Sequence, residues 1–230
     1  MMIISMVPSG GLSRRSVCGG MCLLLCGCMT ASQGPLSGYQ QAIDPYASIY
    51  GPVVDGVHDI PALELDQMDR DLLRREVAFP GRYPPGTIVV KVTERRLYLV
   101  QSGGRALRYA VGVGREEAIN FRGSAVIGRK AEWPRWIPTA DMIKKTPRYA
   151  AYAGGMPGGL ENPLGARALY LYVGDRDSYF RIHGTNEPTT IGSAVSSGCI
   201  RLFNQDIIDL YNRVPPGAPV VVLQSHDGAA

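Results

Sequence analysis

From residue 87 to residue 223 the chain is a succession of short β-rich segments separated by turns, and this pattern constrains the fold most strongly. The sequence also contains 28 Gly and 17 Pro, which favour turns and strands over a helical bundle. We therefore predict a mainly β domain. The predicted strands cover 87–92, 96–101, 105–113, 125–130, 168–173, 179–183 and 220–223.

Two segments have helical character. In 61–77 the apolar residues recur at helical spacing, with acidic residues early and arginines late, as the helix dipole favours. A second helix is predicted from Asn204 to about residue 213. Asn204 is its plausible N-cap and Asp206 lies in its first turn, so both are interpreted as structural caps.

The stretch 132–165 has no clear periodicity and contains Trp133 and Trp136 among many Gly and Pro residues. A loop this long within a compact domain usually carries function. We interpret it as a lid or a groove wall for a substrate. The alternative is an irregular insertion that packs on the core.

The first thirty residues have the pattern of an export signal. Arg14 and Arg15 precede a short apolar run over 17–29, which is too short to span a bilayer permanently. The residues before Cys28 resemble a lipobox, which would make Cys28 a lipidation site. The alternatives are an ordinary signal cleaved near Ala31, or a metal-binding cysteine cluster, which lacks histidine or carboxylate partners.

Composition and Gly- and Pro-rich breaks divide the chain into four parts. We predict a signal or lipoprotein segment over 1–30, a loosely ordered N-terminal arm with a short helix over 31–78, a catalytic domain over 79–224 and a tail over 225–230. The net charge of +4 is too small and too dispersed to indicate a nucleic-acid partner. Gly112-Val113-Gly114 is not followed by a helix pattern, so it does not indicate a dinucleotide site.

Cys199 is the main candidate for chemistry. The other four cysteines lie within the predicted signal, so a mature exported protein would carry a single thiol. His183 precedes it by 16 residues, at the end of a predicted strand. A thiolate is a strong nucleophile, and a nearby imidazole can take the proton from the thiol. The unreactive alternative is a buried structural cysteine together with a core histidine. Gly198 would let backbone N–H groups approach a developing oxyanion.

Several motifs together resemble the L,D-transpeptidases, the family with the YkuD-type catalytic domain. The resemblance covers about residues 79–224. Ser197 stands where many members have a histidine. The residues that carry the resemblance are Pro85-Gly86-Thr87-Ile88-Val89-Val90, Glu132-Trp133-Pro134-Arg135-Trp136-Ile137-Pro138, the segment 159–171, His183-Gly184-Thr185, Ile191-Gly192, Ser196-Ser197-Gly198-Cys199-Ile200-Arg201-Leu202, Asn204 and Asp206.

The resemblance implies a YkuD-like β-sandwich or mixed sheet with one or two short helices, and it implies roles for the site. Cys199 would be the nucleophile and His183 the general base and acid, oriented by the backbone carbonyl of Gly184. Gly198 and Cys199 N–H groups would form the oxyanion site. Arg201 would bind a substrate carboxylate or anchor the loop, unless it forms only a structural salt bridge, and Thr185 and Ser196 would hydrogen-bond within the site or satisfy loop backbone.

The implied reaction joins peptidoglycan stem peptides through a cysteine thioester and releases D-alanine, with no metal and no other cofactor. Water as acceptor would make the enzyme an L,D-carboxypeptidase, and a protein amine would make it a protein-attachment enzyme. A non-catalytic peptidoglycan-binding module is the remaining alternative. We expect an exported, periplasmic monomer that contacts a membrane only through a lipid on Cys28.

Overall fold

The computed structural model describes residues 44–116 and 119–224. The predicted signal segment with Cys28, the first part of the predicted arm and the predicted tail lie outside these residues. Within the described ranges, no helix is both long enough and apolar enough to cross a bilayer.

A mixed sheet dominates the described part of the chain. The strands are β1 (Arg75–Ala78), β2 (Ile88–Lys91), β3 (Arg96–Gln101), β4 (Arg105–Ala110), β5 (Val113–Gly114), β6 (Gly123–Glu132), β7 (Arg167–Val173), β8 (Arg176–His183), β9 (Ala194–Ser196), β10 (Ile200–Arg201) and β11 (Pro219–Leu223). Nine of them pair in the order β1-β4-β3-β2-β11-β6-β7-β8-β10, and the two short strands β5 and β9 pair separately in parallel.

Two strand pairs in the large sheet are parallel, and both join distant parts of the sequence. β11 pairs with β2, which places the last strand in the middle of the sheet. β10 pairs with β8 at the end of the sheet. The other neighbours are antiparallel. The predicted mainly β class with a mixed sheet is confirmed, because the predicted strands all overlap observed ones.

The helices are short. α1 (Ala140–Lys145) begins after Thr139, whose hydroxyl accepts a hydrogen bond from the Met142 N–H at 3.2 Å. α2 (Asn204–Arg213) packs its apolar side, including Ile207 and Leu210, into the main core. That core is a cluster of aliphatic residues from β2, β3, β6, β7, β8 and β11.

The predicted helix over 61–77 is wrong. Two 3₁₀ turns, Leu65–Gln67 and Arg70–Leu72, occupy its first part, and β1 occupies its end. β1 pairs with β4 in register from Arg75 to Ala78, so pairing with a distant strand overrides the local helical pattern.

We call residues 44–73 the N-terminal strap. The sequence predicts a loosely ordered arm up to about residue 60 and a helix after it, but the strap instead packs against the rest of the described chain. Tyr50 and Leu73 are fully buried in a cluster with Phe203. The Asp55 carboxylate accepts two hydrogen bonds of 2.6 Å from the Arg167 guanidinium, which is 6% exposed. The strap is therefore part of the folded unit.

Candidate active site

The pairing of β8 with β10 brings the histidine and cysteine segments together. Arg201 lies opposite His183 in the parallel register, and the Leu202 N–H donates to the His183 carbonyl at 2.8 Å. Cys199 directly precedes β10. His183 and Cys199 both line a cleft of about 120 Å³, as do Ser196 and Arg201.

His183 is oriented by the backbone of the next residue. Its Nδ1 lies 2.6 Å from the carbonyl oxygen of Gly184, and a carbonyl can only accept, so Nδ1 carries the hydrogen. Burial and, after it, the charges of Arg201 and Arg181 together lower the pKa of His183 to about 4, against the raising effects of the backbone groups of Gly184 and Leu164. A neutral imidazole with hydrogen on Nδ1 leaves Nε2 free to accept a proton.

The Cys199 thiol is half-buried, and burial raises its pKa above the ordinary value. The backbone N–H of Arg181 and the charges of Arg181 and Arg201 oppose this rise without cancelling it. At neutral pH Cys199 is therefore a thiol and His183 a neutral imidazole, and both line the same cleft. Such a pair needs proton transfer during attack.

A tight turn over Ser196–Cys199 presents the thiol. The Ser196 hydroxyl donates to the Cys199 carbonyl at 2.7 Å and accepts from the Gly198 N–H at 3.1 Å. Gly198 has a φ of 115°, and a Cβ there would collide with the Ile119 carbonyl, so the position needs glycine. In this conformation the Gly198 N–H is already engaged, which leaves the Cys199 N–H as the candidate oxyanion donor.

Thr185 and Arg201 have partners within the protein. The Thr185 hydroxyl accepts from the Glu187 N–H at 3.0 Å, which satisfies loop backbone. Arg201 donates to the Glu187 carboxylate at 3.0 Å, and the Arg201 side chain is 19% exposed. Because Arg201 also lines the cleft, its guanidinium can reach a bound anion while Glu187 holds it.

Asn204 does not cap α2. The N-cap is Phe203, and the Asn204 side chain instead bonds backbone groups at residues 166 and 185. Asp206 is buried and accepts a hydrogen bond of 3.0 Å from the Tyr50 hydroxyl of the strap. The predicted cap roles for these two residues are wrong, because their partners come from distant segments.

The stretch 132–165 supplies most of the remaining cleft wall. A larger recess of about 490 Å³ shares Trp136, Tyr149, Pro163 and Arg201 with the cleft, so the two are adjacent. Trp133 lies elsewhere and packs edge-on against His58 of the strap, with ring centres 4.7 Å apart. The residues of the stretch that line the cleft are Trp136, Met142, Tyr149, Pro163 and Leu164.

Known proteins resemble this chain over most of its described residues. The family model for the L,D-transpeptidase catalytic domain, YkuD, matches residues 85–222. The chain is 36% identical over 141 residues to Probable L,D-transpeptidase ErfK/SrfK of Salmonella typhimurium, covering 59% of this chain and 43% of that relative. It is 37% identical over 144 residues to Probable L,D-transpeptidase YbiS of Escherichia coli, covering 58% and 43%.

A solved structure from Brucella melitensis, described as a probable carnitine operon oxidoreductase, is 48% identical and covers 70% of this chain and 99% of that one. Its TM-score of 0.47 is too low to support a conclusion about the fold or the function of this chain.

One cleft of a mainly β fold is lined by a cysteine and by an imidazole that a backbone carbonyl orients, and these features define a candidate thiol-dependent acyl-transfer site. The chain belongs to the L,D-transpeptidase catalytic domain family. It spans less than half the length of the two curated relatives.

Proposed function

We propose that this chain is a peptidoglycan L,D-transpeptidase that works through a thioester on Cys199. The observation that carries the proposal is the meeting of Cys199 and His183 in one cleft, with the His183 Nδ1 fixed on the Gly184 carbonyl. Membership of the family supports the substrate class.

In the first step the Cys199 sulfur attacks the carbonyl carbon of the donor stem that follows the L-centre of its diamino acid. The thiol proton passes to His183 Nε2 and then to the leaving amine, so D-alanine departs as the C–N bond breaks and the C–S bond remains. The Cys199 N–H is the candidate donor to the oxyanion.

In the second step an amine on a neighbouring stem attacks the thioester. His183 takes the proton from that amine and returns it to the sulfur as the C–S bond breaks, which leaves a new amide cross-link. Water in place of the amine would give L,D-carboxypeptidase activity, and a protein amine would give protein attachment. All three reactions share the same acyl-enzyme.

The shape and charge of the site suit a stem peptide. The cleft is lined by Cys199, and the adjacent recess is lined by Arg148 and Arg201 together with Glu161 and Glu187. Arginine pairs with carboxylates in a bidentate fashion, so either guanidinium can hold a stem carboxylate. This binding would place the scissile carbonyl over Cys199.

Mass spectrometry of purified muropeptides tests the proposal. Tetrapeptide muropeptides incubated with the wild-type protein should give a cross-linked product and free D-alanine, and Cys199→Ala should give neither while keeping its fold. An acyl-enzyme adduct in the Cys199→Ala protein, or no reaction with the folded wild type, would contradict the assignment. A tripeptide product without cross-links would identify the carboxypeptidase instead.

We also infer that the protein is exported to the cell envelope, because 1–30 has the pattern of a signal and the proposed substrate lies outside the cytoplasm. If Cys28 carries a lipid, Cys28→Ser should move the protein from the membrane fraction to the soluble envelope fraction. A soluble wild-type protein whose N-terminus lies well after Cys28 would contradict lipidation.

A further inference from the structure

The side chain of Asn204 holds the loop that follows His183 through three hydrogen bonds. Its Oδ1 accepts from the Ala166 N–H at 3.0 Å and from the Thr185 N–H at 3.3 Å, and its Nδ2 donates to the Thr185 carbonyl at 3.0 Å. It therefore uses both ends of its amide on backbone groups.

One of these bonds falls on the peptide unit that orients the imidazole. The Gly184 carbonyl and the Thr185 N–H belong to the same planar peptide group and point in opposite directions in its trans form. Asn204 binds the N–H end, and His183 Nδ1 binds the carbonyl end. Rotation of this peptide would break both bonds at once.

The packing around the amide leaves little room for any other arrangement. A Cβ at Gly184 or at Gly165 would collide with Asn204 Oδ1, so both positions let the amide approach the backbone closely. Asn204 itself starts α2, whose Ile207 and Leu210 are fully buried, so the amide is supported by a fixed helix.

We propose that Asn204 is a positioning residue that sets the tautomer and ring orientation of His183. By fixing the Gly184–Thr185 peptide it keeps a carbonyl, which can only accept, in front of Nδ1. The hydrogen of the neutral imidazole is then held on Nδ1, and Nε2 is kept as the proton acceptor. The consequence for catalysis rests on the proposed function, whereas the consequence for the tautomer does not.

Nuclear magnetic resonance of ¹⁵N-histidine-labelled protein tests this role directly. The chain has three histidines, so long-range ¹H–¹⁵N spectra are simple, and His183→Gln assigns the His183 signals. At pH 7 the wild type should show hydrogen on Nδ1 of His183. In Asn204→Ala, His183 should show a mixture of tautomers, and the acylation of Cys199 should be at least tenfold slower than in the wild type.

Two further variants separate positioning from general stability. Gln205→Ala is the matched control, because it removes a buried amide that bonds the Pro61 carbonyl of the strap from the next position of the same helix. It should lower the melting temperature without changing the tautomer. Asn204→Asp keeps both accepted bonds and loses the donated one, so it should retain more of the Nδ1–H form than Asn204→Ala.

The tautomer decides the outcome. If folded Asn204→Ala keeps His183 wholly in the Nδ1–H form, the proposal is wrong. If Asn204→Ala does not fold, the same decision passes to Asn204→Leu, which nearly keeps the side-chain volume and loses all three hydrogen bonds: a wholly Nδ1–H form of His183 in folded Asn204→Leu overturns the proposal. An inactive wild type with the expected tautomer shift would overturn the proposed function alone.

Discussion

At the scale of single residues, the candidate nucleophile and its base rest in their neutral forms. Burial lowers the pKa of His183 to about 4 and raises the pKa of Cys199. A permanently charged thiolate–imidazolium pair would require the opposite shifts. The site therefore depends on a proton transfer that accompanies attack, and the imidazole must be neutral for it to occur.

His183→Ala should slow acylation of Cys199 by about 10²–10⁴-fold, because general-base help of this size is lost. In the wild type the acylation rate should fall on the acid side around pH 4, since protonation of His183 removes the base. Stopped-flow acylation by a carbapenem from pH 3.5 to 8 measures both effects. A rate within a few-fold of wild type in His183→Ala would contradict the role of His183 as base, and an acid limb near pH 6.5 in the wild type would contradict its lowered pKa.

At the scale of elements, the stretch 132–165 contributes a wall and not a uniform lid. Trp136 is 8% exposed and packs edge-on against Tyr149, with ring centres 5.0 Å apart, inside the cleft lining. Trp133 contacts the strap on another side. The two tryptophans are three residues apart, but one lines the cleft and the other packs against the strap. Substitution of each in turn therefore separates an effect on the cleft from a general effect of losing a tryptophan.

Trp136→Ala should weaken processing of the tetrapeptide stem by at least tenfold in kcat/KM, because it removes a ring that lines the cleft. Alkylation of Cys199 by iodoacetamide should stay within a few-fold of wild type. Trp133→Ala is the control and should change stability more than stem turnover. Equal losses of turnover in both variants, or no loss in either, would show that Trp136 does not wall the substrate groove.

Local patterns were sufficient where structure is decided locally. Alternating and continuous apolar runs predict the strands, and the Gly-Cys sequence and the histidine at the end of a strand indicate the candidate site. Asn204 shows the limit of such patterns. Its position before a helix indicates a cap, but its partners lie 19 and 38 residues earlier in the chain, and only the folded arrangement brings them together.

The strap shows the same limit for a whole segment. Leu65, Met68, Leu72 and Leu73 have helical spacing because they face one apolar cluster, and two 3₁₀ turns achieve this as well as an α-helix would. Just after the strap, Arg75–Ala78 forms a strand because β4 offers an edge with which to pair. Neither cause is visible within the segment itself.

At the scale of the whole molecule, a buried polar network ties the strap to α2. Asp206 accepts from the Tyr50 hydroxyl and lies 3.5 Å from Arg74, which also contacts Asp209 at 3.0 Å. Burial raises the pKa of Asp206 from 3.8 to about 7, against the lowering effects of Arg74 and Tyr50. The network therefore changes charge within the physiological range.

The stability of the wild type should depend on pH through Asp206. A carboxyl whose folded pKa is raised binds its proton more tightly when folded, so its stabilising contribution is full below about pH 4 and is lost as the pH rises through 7. Asp206→Asn stays neutral and keeps an acceptor for Tyr50. The free energy of unfolding of Asp206→Asn minus that of the wild type should therefore increase by up to about 1.4 kcal/mol for each pH unit between pH 4 and 7.

Urea unfolding of both proteins at several pH values measures this difference. A difference that is independent of pH would show that Asp206 ionises normally in the fold. A difference of the opposite sign would show that the Arg74 pairing outweighs burial.

The strands at the two ends of the sheet decide whether neighbouring molecules can pair edge to edge. β1 carries Arg75 and Glu76, which are exposed and engaged with Asp71 and Arg105, and charges on an outer strand discourage another chain from pairing there. β10 is only two residues long, and Arg201 also exchanges backbone hydrogen bonds with Gly112. We therefore expect that copies at high local concentration do not associate by pairing the edge strands of their sheets.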